Sequence, residues 1–116
     1  MKTYQIFGLS VSSAFTMQGV ALSNAEPDIL IRCGPVPLPD MKSNSSGMLY
    51  HISKDTIHLR WHRIGSFRIH AGREITAERS PGVSESSFLH TLTGSILAIA
   101  LFQRKHFVLH ASAVVK

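Results

Sequence analysis

The chain has 116 residues, is 44% hydrophobic and 16% charged, and carries a formal net charge of +5 from 12 Lys and Arg against 7 Asp and Glu. That length suits one small domain, or a piece of one, burying roughly two thirds of its surface. The single cysteine, Cys33, excludes an internal disulfide and suits a reducing compartment, so a cytoplasmic location is expected; no repeat or long low-complexity tract is present.

Residues 1–25 imitate a secretory leader, with Lys2, a weakly apolar stretch from Ile6 to Leu22, and Ser23-Asn24-Ala25 as a small-residue cleavage site. Gln18 and a scatter of Ser and Thr interrupt that stretch, and Leu9-Ser10-Val11-Ser12 alternates with strand period. A first strand is therefore the preferred reading. The leader remains its competitor, and with it a small secreted protein of another kind.

Pro27-Asp28 opens a second strand, Ile29 to Cys33, which Gly34-Pro35 ends. Pro35, Pro37 and Pro39 force an extended connector, and Met41 to Gly47, with Ser43-Asn44-Ser45-Ser46, reads as a loop. Residues 34–47 are the expected linker.

From Met48 to Arg79 the pattern is an antiparallel meander. Met48, Tyr50 and Ile52, then Ile57, Leu59 and Trp61, then Phe67 and Ile69, then Ile75 and Ala77 share one apolar face. His58, Arg60, His62, Arg68, His70, Glu74, Thr76 and Glu78 fall on the other. Turns are expected at Lys54-Asp55, Ile64-Gly65-Ser66 and Ala71-Gly72-Arg73.

The basic residues are spread along the chain, and the densest set, Arg60, Arg63, Arg68, Arg73 and Arg79, alternates with apolar residues as the wet face of a sheet does. Specific nucleic-acid binding is not expected. Nor is a metal site: on a strand His58 and His62 stand about 13 Å apart, too far for one ion. A three-residue turn is expected to set Arg60, not a histidine, opposite His70.

Val83 to Lys105 reads as a helix with Ser84 as N-cap and Phe88, Leu92, Ile96, Ile99 and Phe102 as its apolar stripe, widened by Leu89, Leu97, Ala100 and Leu101. Arg104 and Lys105 close it with the sign the helix dipole favours. His90, Thr91, Thr93 and Ser95 break the apolar run short of the ~20 residues of a bilayer span, so no membrane association is expected. Phe107 to Val115 then reads as a strand covered on both faces, with His110 on one face beside Val108 and Ser112. On strand context alone, His110 reads as a hydrogen-bonded core residue. It does not activate Ser112, because residues two apart on a strand point in parallel. A buried strand is an odd place for a domain to stop, so the chain reads as cut short.

The stretch Gln103-Arg104-Lys105-His106-Phe107-Val108-Leu109-His110-Ala111-Ser112-Ala113-Val114-Val115 resembles the segment before the phosphate loop in the HPr serine kinase-like family of P-loop proteins. In that family a helix leads to a strand with a Leu-His-Ala-Ser-Ala-Val or Met-His-Gly signature, then a short hairpin and a G-x-x-x-x-G-K-S/T loop. Tyr4-Gln5-Ile6-Phe7-Gly8-Leu9, Asp28-Ile29-Leu30-Ile31-Arg32 with its Gly-Pro-Val-Pro continuation, and Ala71-Gly72-Arg73-Glu74-Ile75 are similar to upstream regions of the family's shorter members. The likeness is to relatives of the bifunctional HPr kinase/phosphorylases, some of which accompany peptide-modification systems.

The resemblance implies a fold and a role. The expected class is α+β: an antiparallel β-meander packed on one long buried helix, ending in a strand that would start a P-loop α/β core. Residues 1–82 would be a mainly β amino-terminal region, and 83–116 the helix plus first core strand. The complete protein would be an ATP- and Mg2+-dependent serine kinase acting on a protein or peptide. Its loop and magnesium would stabilise the phosphoryl charge, a downstream carboxylate would position the hydroxyl, and His110, an accessory residue, would orient that carboxylate or contact phosphate. No G-x-x-x-x-G-K-S/T occurs in these residues, so the chain alone is expected to bind no cofactor and to be inactive. The alternative is a stand-alone, non-enzymatic binding module acting through its sheet by strand addition, with self-association into a homo-oligomer also allowed.

Overall fold

The computed structural model of the protein describes residues 1–37, the backbone of 42–43, and residues 48–105. In chain order its strands are β1 (Lys2–Ile6), β2 (Leu9–Ser13), β3 (Ile29–Cys33), the two-residue β4 (Lys42–Ser43), β5 (Leu49–Ile52), β6 (Thr56–Trp61), β7 (Gly65–His70) and β8 (Glu74–Arg79). One helix, α1 (Glu85–Lys105), follows. The class is α+β, as the sequence led us to expect. The expected strand Phe107 to Val115, with His110, lies outside the described residues, as does most of the loop Met41 to Gly47.

The strands form one mixed sheet in the order β1-β2-β3-β8-β7-β6-β5-β4. Its β5 to β8 half is the meander that the alternation predicted, each strand antiparallel to the one before it. The other half departs from local pairing. β3 lies parallel to both β2 and β8, which puts Ile31 opposite Ser13 on one side and Ile75 on the other. Parallel neighbours cannot be joined by a tight turn. Residues 14–28 make the crossing between β2 and β3, and on the way they shield the free edge of β1: the Gln5 amide donates to Ala21 (2.8 Å) and the Ser23 amide to Thr3 (2.9 Å). A covered edge is closed to further strand pairing.

The first strand is in fact a hairpin. Phe7 and Gly8 both take positive φ, 53° and 75°, and set Ile6 opposite Leu9. Ile6-Phe7-Gly8-Leu9 reads as continuous apolar strand because a phenylalanine rarely occupies a left-handed turn position.

The dry face of the sheet receives α1. Ile31, Phe67, Ile69, Ile75 and Ala77 meet Phe88, Leu92, Ile96, Leu97 and Ala100, all at 1% exposure or less. Each large side chain so buried contributes roughly 1.5–3 kcal/mol before entropy. The Phe88 ring stacks on Phe67 at 5.7 Å between centroids and tilts against Phe15 at 5.2 Å. Gly65 lets the helix come this close, since a β-carbon there would collide with the Glu78 carbonyl and reach within 3.1 Å of the Phe88 ring.

Two features of α1 differ from the periodic reading. Ser84 caps it as expected, accepting from the Ser87 amide at 3.1 Å. Its middle turn, Leu92–Ile96, is however π-helical. The additional residue in that turn rotates the later turns of the helix by about 100°. Leu97 and Ala100, expected only to widen the stripe, therefore lie at its buried centre, while Ile99 is half-buried and Phe102 is 72% exposed. Second, α1 has 21 residues and by length and composition alone would qualify as a membrane span. His90, Thr91, Thr93 and Ser95 interrupt the apolar run but not the helix. Its most apolar stripe is spent on the sheet.

Candidate functional site

The residue the resemblance singles out, His110, lies outside the described residues, but the route to it begins inside them. α1 runs alongside β7 and ends at one corner of the sheet, where two side chains fasten it. Gln103 accepts from the Gly72 amide through Oε1 at 2.9 Å. Its Nε2 donates to the carbonyls of Ile69 (3.3 Å) and Asp55 (3.4 Å). The Arg104 guanidinium reaches the Asp28 carboxylate and carbonyl, both at 3.3 Å.

Asp28 joins this corner to the parallel seam. Its Oδ2 accepts from the Ser10 amide at 2.9 Å, and its own amide donates to the Ser10 carbonyl at 2.7 Å. Gly72, at φ +65°, is the point of closest approach: a β-carbon there would stand 2.7 Å from the Arg104 nitrogen and 2.8 Å from the Ala100 carbonyl. One end of α1 is thus tied to the β5–β6 turn, the β7–β8 turn and the start of β3. The sequence reading treated Arg104 as a helix-dipole partner and Asp28 as a strand opener. Only their pairing across 76 positions was hidden.

The face of the sheet away from α1 carries the basic residues. Register sets His51 opposite His58, His58 opposite Arg68, Arg68 opposite Thr76, and Thr76 opposite Arg32. The His51 and His58 rings are 6.2 Å apart. His58 Nδ1 is shielded from solvent and has no hydrogen-bond partner, although the residue as a whole is only half-buried. Burial first, then the neighbouring charges of Arg68 and His51, hold the His58 pKa below the usual imidazole value.

The expected pairing of Arg60 with His70 is corrected here. The turn His62–Ile64 sets Trp61 opposite Gly65, so Arg60 faces Ser66 and Thr56 faces His70. Thr56 Oγ1 lies 2.7 Å from His70 Nδ1 and donates to Asp55 Oδ1 at 3.2 Å. Hydroxyl, imidazole and carboxylate meet here, but Asp55 approaches the same ring nitrogen as the hydroxyl, at 4.0 Å. A nucleophile–base relay needs the carboxylate on the opposite nitrogen. The trio fastens the β5–β6 turn and activates nothing.

Among the described residues no three His, Cys, Asp or Glu side chains gather as a metal centre would need. An open groove of about 460 Å³ lies at the other end of α1, floored by Met17, Val20 and Leu89 with Glu85 and His90 at its rim. It belongs neither to the fastened helix end nor to the basic face. Set against known proteins, the chain matches no protein-family model, no curated protein and no solved structure.

Proposed function

We propose that this chain is the amino-terminal region of an HPr serine kinase-like P-loop protein, whose complete form transfers a phosphoryl group from ATP, with Mg2+, to a serine of a cytoplasmic protein or peptide. The observation that carries the reading is the fastened helix end. Gln103 and Arg104 open the stretch that resembles the family, and they are the side chains that bind α1 to three separate pieces of the sheet. In the complete protein, a chain leaving Lys105 would start from a fixed corner. A phosphate loop needs such a start, because its backbone amides must be held to within fractions of an ångström of the oxygens they bind.

These 116 residues do not themselves fit a nucleotide. They contain no G-x-x-x-x-G-K-S/T, so no step of phosphoryl transfer is assigned to any of them. In this reading His110 becomes useful only beside a downstream loop and carboxylate. Reading the coding DNA past Lys116 in three frames, for about sixty codons, is the test. A glycine-rich loop ending in Gly-Lys-Ser or Gly-Lys-Thr is expected; a stop followed by unrelated sequence would sink the kinase reading. In that case the second reading, a non-enzymatic binding module, takes its place, favoured by the cationic row on the open face of the sheet.

A further inference from the structure

We propose that the sheet face opposite α1 docks an acidic peptide segment of a partner protein, with His51, His58, Arg68 and Arg32 as its cationic row. The inference does not rest on the P-loop reading, since all four residues lie on strands of the described sheet. Three observations carry it.

The first is the row itself. Side chains directly opposite one another on neighbouring strands interact most strongly, and like charges there are destabilising. This sheet sets imidazole beside imidazole and imidazole beside guanidinium, at His51–His58 and His58–Arg68, so positive charge crowds there whenever His58 takes up a proton. Among the described residues neither Arg68 nor Arg32 makes an ion pair, while the carboxylates nearest by register are engaged or off the row. Glu78, opposite Ser66, accepts from the Val36 amide at 3.2 Å, and Glu74 stands opposite His70. The second is His58 itself at the middle of the row: its Nδ1 is shielded and has no partner inside the protein, and the half-exposed remainder of the ring is what a ligand meets.

The third is shape. From β5 to β3 the row crosses five strands, about 19 Å at the usual strand spacing. That length suits about six residues of an extended peptide, not a single small anion. A peptide lying across the strands would set carboxylates against His51 to Arg68 at one end and Arg32 at the other. Nucleic acid fits less well. The large aromatics of the meander, Tyr50, Trp61 and Phe67, belong to the opposite face by register, so its strands offer no Tyr, Trp or Phe ring on this face for a base to stack on.

Binding draws on protonation. Facing His58 are His51 from β5, Arg68 from β7, and Arg60 two positions along its own strand, all basic. An acidic peptide over the row replaces that repulsion with attraction and favours the charged imidazole. Affinity therefore rises as pH falls below 6.5 and His58 takes up its proton beside the peptide's carboxylates.

The test is fluorescence anisotropy with the full chain and a labelled hexaglutamate peptide at low salt. A labelled single-stranded RNA hexamer serves as comparison. Arg68→Gln and the more exposed Arg32→Gln are each expected to weaken peptide binding about fivefold to tenfold, and Lys105→Gln, on the far end of α1, by less than about twofold. Circular dichroism checks that each variant keeps its fold, and Arg32→Gln remains decisive if Arg68→Gln loses it. Absence of peptide binding, equal loss in Lys105→Gln, or tighter binding of the RNA than of the peptide each overturns the proposal.

Discussion

The two halves of the sheet are held together by different kinds of information. In the meander, β5 to β8, every strand pairs with its predecessor across a turn of three residues, so the partners are near in sequence and each local choice supports the next. In the seam, β2-β3-β8, strands run parallel, and Ile31 meets Ile75 across 44 positions. Loop-closure entropy opposes such contacts until the rest of the fold is in place. Local pairing builds the meander; the helix and the seam are what convert it into a closed structure. Gly72 and Asp28, both touching the end of α1, are where the two halves are joined.

Breaking the meander has the largest expected effect. Phe67 is fully buried, stacked on Phe88, and opposite Ala77 in the sheet. Phe67→Ala should lower stability by about 3–5 kcal/mol, read as a fall in the urea midpoint, because it empties the space beneath the helix. Ile31→Ala makes the matching break in the seam. It should cost about 2–5 kcal/mol while leaving a single transition, provided the halves unfold together. Two separate transitions would show instead that the seam is a later, weaker addition to an independent meander.

Gly72→Ala loosens the joint without emptying either half. The new methyl must occupy a backbone conformation at φ +65° and displace the helix end. A loss of about 1–3 kcal/mol is expected, with faster amide exchange at Gln103 and Arg104 as its local signature. Unchanged exchange at the helix end would mean that Gly72 serves the turn alone.

The same comparison explains what the sequence could and could not reveal. Ile29 to Cys33 has the predicted bounds, and the meander's faces follow directly from alternation, because period two needs only neighbouring residues to be read. The Ser84 cap is equally local. What escaped was non-local or conformational. The β3–β8 pairing has no signal in either strand alone. The π turn at Leu92–Ile96 centres the buried stripe on Leu97 and Ala100 and turns Phe102 out to solvent, and no periodicity count at a fixed 3.6 residues can see it. Phe7 sits in a turn that propensity assigns to other residues. At the candidate site, each residue of the helix anchor was visible as a residue type, but the contact between Arg104 and Asp28 required the fold.

Asp28→Asn tests the joint more gently. Both partners of the ion pair are about one third exposed, so solvent screens the charge and the loss should stay below about 1 kcal/mol. The Ser10 amide retains an acceptor in the asparagine. If the anchor matters for direction more than for stability, the variant should melt almost normally and yet show faster exchange at Arg104 than at Phe88.

The smallest effect sharpens the contrast between the covered and the open face. His58 is held below its unfolded pKa by burial, then Arg68, then His51. Its folded form therefore binds fewer protons than its unfolded form as the pH falls below 6.5. Stability on this account is intact at pH 7.5 and is lost as the pH drops through 6.5 toward the lowered folded value. His58→Gln removes that titration, so the variant should lose less stability than the parent between pH 7.5 and 5.5. An excess of hexaglutamate should flatten the parent's profile in the same direction, because the peptide favours the charged imidazole that the bare face disfavours. Parallel profiles for parent and variant would place the acid sensitivity outside the row.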